Sequence, residues 1–189
     1  MNTSPRMVHL LNVAALKRLG VIDGPTRAAL DAMAAISART FGVPTVLISL
    51  IDVNRQWFLS RVGFEGDSAP IEDTICQYTI RRSEPLVVLD ASKREDLRDS
   101  PYVSAEGGVR FYAGAPLLSS DGLVIGTLCL VDPSPRSAFG TGDVATLERM
   151  GLVVSALLEG GAARAGTSIA AEGGITPARS APERPRRAG

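Results

Sequence analysis

The Asp121-Gly122 pair between two long apolar runs constrains this chain more than any other feature. Asp-Gly favours the positive φ angles of a tight hairpin, so the flanking segments VRFYAGAPLLS and LVIGTLCLVD are expected to pair as antiparallel strands. A second pair precedes it. VPTVLISLID, from Val43, is apolar at nearly every position and reads as a strand covered on both faces, and Asp52-Val53-Asn54 then turns into RQWFLSRVG. Strict alternation in that second strand puts Trp57, Leu59 and Arg61 on one face and Phe58 and Val62 on the other. A charged Arg61 would then share a face with the indole.

Helical signals bracket these strands. Ser4-Pro5 opens a leading helix over residues 1–20 along Leu10, Val13, Leu16 and Leu19, with Gly20 as its stop. Gly24-Pro25 opens a second, ending at Gly42, with Leu30, Met33, Ser37 and Phe41 on one face and Ala29, Ile36 and Thr40 beside them. IEDTICQYTIRR reads as a short helix capped by Asp73, followed by the strand PLVVLD, Pro85 to Asp90, and then by a polar loop, ASKREDLRDSPYVSAEGG. A last helix starts near Thr141, with Val144, Leu147, Gly151, Val154 and Leu158 as its apolar stripe, and is expected to stop at Gly160.

The assembly these elements favour is α+β. It has a central antiparallel sheet of five to six strands, with the N- and C-terminal helices on one face and the short helix plus loops on the other. Irregular segments over a sheet can enclose a pocket, a usual place for a small ligand. The 189 residues suit one domain, divided as a leading helix (1–20), a folded body (21–159) and a disordered tail (160–189). The tail holds no aromatic, Leu or Val side chain to offset the entropy of ordering.

Net charge is zero, but five of the twenty basic residues and two of the twenty acidic ones lie in 160–189, leaving a body of 15 basic against 18 acidic side chains. That balance opposes nucleic-acid binding, which needs a concentrated positive field. The longest strongly apolar run, Val43 to Ile51, is about nine residues where a spanning helix needs about 20, and the N-terminal segment has no apolar export core. Two cysteines, Cys76 and Cys129, make neither a disulfide scaffold nor a zinc site. A cytoplasmic protein without a membrane segment is the expectation.

The order of elements, together with RQWFLSRVG, PLVVLDAS, RFYAGAPL and GLVIGTLCLVD, resembles the GAF domain family, over roughly Val8 to Glu159. It is most similar to the stand-alone or N-terminal GAF domains found with bacterial histidine kinases and diguanylate cyclases. The resemblance implies a bacterial signal-transduction sensor whose pocket binds an unidentified small molecule, with a homodimer through the terminal helices and a histidine kinase or cyclase as partner. Carried over by position, the ligand-binding wall comprises Trp57 and Arg61, Cys76 and Thr79, Asp90, and Phe111 or Tyr112; adjacent strand residues face opposite ways, so one of that last pair lines the pocket. Catalytic residues, a metal site and a named cofactor are not implied.

Cys76 near a helix start reads either as a reactive thiol or as a small buried hydrophobe, and Cys129, mid-strand, reads as core. In some GAF relatives a cysteine near this region anchors a linear tetrapyrrole beside a histidine, but Gln77 follows Cys76 here and the sole histidine is His9. The GAF-type methionine sulfoxide reductases need several pocket cysteines, and the sequence offers Cys76 without an evident resolving thiol. Arg61 and Asp90 suit a ligand anion and a ligand amine or hydroxyl, or equally local ion pairs. No GxxxxGK[ST], HExxH, GxSxG or CxxC motif is present. Three readings remain open: a non-catalytic small-molecule sensor, a dimerisation or docking module with a vestigial pocket, and a Cys76-dependent thiol enzyme.

Overall fold

The computed structural model describes residues 24–52 and 54–172. The leading helix expected over 1–20 and the end of the tail, 173–189, lie outside them. The elements in chain order are α1 (Pro25–Phe41), β1 (Thr45–Ile51), β2 (Arg55–Val62), β3 (Ser68–Pro70), α2 (Cys76–Thr79), β4 (Leu86–Val88), α3 (Pro101–Ser104), β5 (Phe111–Leu118), β6 (Val124–Asp132) and α4 (Thr141–Glu172), with short 3-10 turns at Ile71–Asp73 and Ala91–Lys93. All six strands form one antiparallel sheet in the order β3-β2-β1-β6-β5-β4. The expected α+β architecture is therefore present.

The β5–β6 hairpin turns where the sequence marks it. Gly122 takes φ 77°, and the Ser119 N–H donates to the Leu123 carbonyl across the turn. The pleat then sorts side chains. Phe111, Ala113, Ala115 and Leu117 of β5 face the helices with Leu128 and Leu130 of β6 and Val46, Ile48 and Leu50 of β1. Tyr112, Cys129, Leu47 and Ile51 face the other way, into a second apolar layer beneath the loops. β1 is buried on both faces, as its unbroken apolar run requires.

Helix α1 starts at Pro25 and is stopped by Gly42 in the left-handed conformation, φ 59° and ψ 45°. It buries Thr26, Leu30, Ala34, Ser37 and Phe41 while Ile36 is half exposed, so Ala34 takes the core position and Ile36 lies on the outer side. Helix α4 packs beside it through Leu147, Gly151, Val154 and Leu158. A Cβ on Gly151 would come within 3.1 Å of the Ala115 Cβ, which explains a glycine in this stripe. The Ser155 hydroxyl accepts from the Leu118 N–H at 3.0 Å and ties α4 to the end of β5.

Two expectations are corrected. Helix α4 runs through Gly160 to Glu172. Gly costs about 1 kcal/mol inside a helix but does not break it, and the alanines and Arg164 after Gly161 are good helix formers. Asp73 caps no helix, because Thr74 is extended (φ −100°, ψ 148°) and splits the segment into a 3-10 turn and the four-residue α2, whose N-cap is Ile75. The sixth strand, β3, pairs with β2 and brings the sheet to the upper end of the expected five to six.

Candidate functional site

A cavity of about 60 Å³ lies on the sheet face away from α1 and α4. Thr45, Leu47, Gln56, Phe58, Tyr112, Cys129 and Val131 form its floor, and Phe64, Thr74, Ile75, Cys76, Tyr102 and Val109 cover it. The covering pieces are the segment around Cys76 and the loop region after Asp90, both expected from the sequence, together with Phe64 from the β2–β3 connection. Two hydrogen bonds fasten them together: the Tyr78 hydroxyl donates to the Asp96 carbonyl at 2.9 Å, and the Ser100 hydroxyl donates to the Asp73 carbonyl at 3.1 Å.

The cavity wall is apolar apart from a few polar atoms around Cys76. The Cys76 and Cys129 sulfurs lie 3.7 Å apart, and both side chains are buried. The Gln56 Nε2 donates to the Cys76 sulfur at 3.1 Å and to the Ser49 hydroxyl at 2.8 Å, and the Tyr112 hydroxyl donates to the Cys76 sulfur at 3.4 Å. Hydrogen bonding to the charged form favours it. Donation from the Cys129 thiol, with smaller help from Thr127, Tyr112 and Gln56, outweighs burial and lowers the Cys76 pKa to about 7. The same bond and burial push Cys129 well above its usual value, while burial and the neighbouring thiols push Tyr112 up. Cys76 is thus the acidic member of the pair, with Cys129 retaining its proton.

Gln56 carries an anomaly. It is 1% exposed, and its carbonyl oxygen Oε1 meets no donor in the structure. A buried acceptor left in this state costs about 1–3 kcal/mol, and Gln56 lies on the cavity wall.

Of the residues carried over from the resemblance, the structure brings Cys76 and Tyr112 to the cavity and puts Thr79 behind them, its hydroxyl 2.7 Å from that of Tyr112. Phe111 faces α1 and α4, with Phe139 at 5.4 Å between ring centroids and the Arg136 guanidinium 4.6 Å from its ring. Trp57 packs on the helix side as well and donates its indole N–H to Asp52 at 2.7 Å.

Arg61 is not on the face of Trp57. A β-bulge in β2 pairs Ile48 with Ser60 and Ser49 with Phe58, so Leu59 is the extra residue and the alternation flips beyond it. Arg61 then lies opposite Leu47 but outside the cavity, bonded to Asp67 at 2.9 Å. Asp90 also stays outside. It accepts from the Ser92 hydroxyl at 2.6 Å and the Ser92 N–H at 3.2 Å and pairs with Lys93, and the Ser92 bonds hold its pKa below the ordinary value.

Sequence reasoning missed Gln56, Phe58 and the role of Cys129. Gln56 left a signal: an amide two residues from Phe58 in an apolar strand shares its face. Cys129 does read as core, but the missing second thiol is corrected, because β6 delivers it against Cys76 from 53 residues away. Among the described residues no group of three His, Cys, Asp or Glu side chains could hold a metal, and no helix is long and apolar enough to cross a membrane.

Comparison with known proteins agrees with this architecture. A cyclic di-GMP phosphodiesterase of Pseudomonas aeruginosa is 36% identical over 143 residues, covering 76% of this chain, which spans 24% of that relative's length. Among solved structures, the GAF domain of an Acinetobacter phosphoenolpyruvate-protein phosphotransferase superposes with a TM-score of 0.62 at 17% identity, over 88% of this chain and 99% of that one. A free methionine-R-sulfoxide reductase from Neisseria meningitidis, in complex with its substrate, gives 0.60 at 20% identity, over 87% and 96%. The GAF domain family model matches residues 25–158, from the first residue of α1 to the buried Leu158 of α4. With the sheet order, the two-sided core and the roofed cavity in place, the chain belongs to the GAF domain family.

Proposed function

We propose that this chain is a regulatory signalling module that senses a very small polar molecule in the cavity beneath α2. The observation that carries this reading is the buried Gln56 Oε1, an acceptor without a donor on a residue that lines an otherwise apolar space. A ligand with one N–H or O–H would satisfy it and recover the free energy of the unmade bond.

Size narrows the class. Drug-sized ligands occupy about 300–1,000 Å³, whereas this cavity holds about 60 Å³, room for a few waters. A nucleotide or tetrapyrrole does not suit such a space. Output would pass through α1 and α4 to a partner, a histidine kinase or cyclase in the cytoplasm; the likeness to a cyclic di-GMP phosphodiesterase supports a place in that kind of signalling.

The test is a thermal-shift series of small donors, such as formamide, urea at low millimolar concentration and hydroxylamine, against wild type and Gln56→Leu, with native mass spectrometry of the untreated protein. Saturable stabilisation of wild type, absent in the variant, is expected. Equal responses of the two proteins to every compound would defeat the reading.

A docking module is the second reading, and the half-exposed Ile36, Leu152 and Val153 on α1 and α4 favour it. Leu158 is fully buried against the sheet side of α4, so a dimer contact would use those three instead.

A further inference from the structure

We propose that Cys76 and Cys129 form a site for oxidation by a small hydroperoxide, closing to an intramolecular disulfide at the floor of the cavity. The proposal stands apart from the sensing reading, since it requires entry of an oxidant and not binding of a ligand.

Four observations meet here. The two sulfurs are 3.7 Å apart and both thiols are free. Both side chains border the cavity, whose volume of about 60 Å³ has room for hydrogen peroxide. Donors converge on one sulfur: Gln56 Nε2 and the Tyr112 hydroxyl both point to Cys76. Finally, the pair is asymmetric, because the acidic Cys76 is the nucleophile and Cys129 keeps the proton needed later.

The chemistry balances with a hydroperoxide as the two-electron oxidant. The Cys76 thiolate attacks the terminal oxygen of ROOH, the O–O bond breaks, the leaving RO⁻ takes a proton to become ROH, and Cys76 is left as sulfenic acid. The Cys129 sulfur then attacks the Cys76 sulfur, the S–S bond forms, and the displaced hydroxide takes the Cys129 proton and leaves as water. Two thiols and one hydroperoxide give one disulfide, one alcohol (water when R is H) and one water. The sulfurs must close to about 2.05 Å, roughly 1.7 Å nearer than they stand, which draws α2 toward β6 beneath it.

The test treats the purified, reduced full chain with hydrogen peroxide at pH 7 and reads intact mass and non-reducing peptide maps. The expected product has lost two hydrogen atoms and carries a Cys76–Cys129 crosslinked peptide, in a monomeric chain. In Cys129→Ser, unfolding the treated protein into dimedone should label Cys76. In Cys76→Ser, Cys129, buried and without the donors that converge on Cys76, should oxidise more slowly than Cys76 does in the wild type. Circular dichroism melts check that each variant folds; should one not fold, the wild-type map alone decides. Survival of both thiols at peroxide levels that oxidise the urea-unfolded chain, a crosslink between two chains, or faster oxidation at Cys129 than at Cys76 would each overturn the proposal.

Discussion

Replacing Gln56 by leucine separates the demands of the fold from those of the site. The variant loses two donated hydrogen bonds, to the Ser49 hydroxyl at 2.8 Å and to the Cys76 sulfur at 3.1 Å, each worth about 1 kcal/mol net. The Ser49 hydroxyl keeps its partner in Thr127, 3.0 Å away. Against this loss, the variant removes the buried acceptor Oε1, a relief of about 1–3 kcal/mol, and buries an isobutyl group worth roughly 1.5–3 kcal/mol. The terms sum to a gain of about 0.5–4 kcal/mol. For a domain of this size each kcal/mol raises Tm by roughly 2–4 °C. The Cys76 pKa should move up with the loss of a donor to its thiolate, slowing alkylation near pH 7. Urea melts under reducing conditions and a pH series of thiol alkylation measure both quantities. A destabilisation beyond about 1 kcal/mol would refute the reasoning, because it would mean that the carbonyl is satisfied in the folded chain and that Gln56 is a structural residue.

Other outcomes follow from the same geometry. Gly114→Ala drives a Cβ into the Tyr112 hydroxyl and to 2.9 Å from that of Thr79; breaking their bond and overpacking the site should cost about 1–3 kcal/mol in urea melts. The Cys76 pKa of about 7 is depressed from 9.0, so between those values the unfolded state binds more protons and stability should rise from pH 7 to pH 9 by on the order of 2 kcal/mol at most. Cys129 and Tyr112, both raised, reverse the slope above pH 9, and Cys76→Ser should abolish the rise in melts across that range. Leu152→Glu with Val153→Glu leaves the fold intact, since both side chains are exposed; sedimentation at rising concentration should show wild type self-associating and the variant not, if α4 carries a dimer contact.

How far the sequence reaches differs between fold and site. The Asp121-Gly122 turn and the doubly apolar β1 carry local signals strong enough to specify the sheet's centre, and Pro25 and Gly42 bound α1 by backbone chemistry alone. The bulge in β2 has no such mark. Nothing in RQWFLSRVG distinguishes a regular strand from one with Leu59 inserted, and that single residue decides which face Arg61 takes. α4 outruns Gly160 and the adjacent Gly161 because a glycine costs a helix about 1 kcal/mol without breaking it. The Cys76–Cys129 pair is a product of the sheet order. β6 lies beside β1 at the centre, and α2 folds back over it; no local pattern links residues so far apart.

Everything said of function depends on a small apolar space between the sheet and its roof, with the Cys76 sulfur on its boundary. Diffraction from crystals of the reduced chain pressurised with xenon examines that space directly, since dry apolar cavities take up xenon. Xenon density is expected in the space bounded by Phe58, Ile75, Cys76 and Tyr112. Side chains filling that volume, with no xenon beside Cys76, would contradict it.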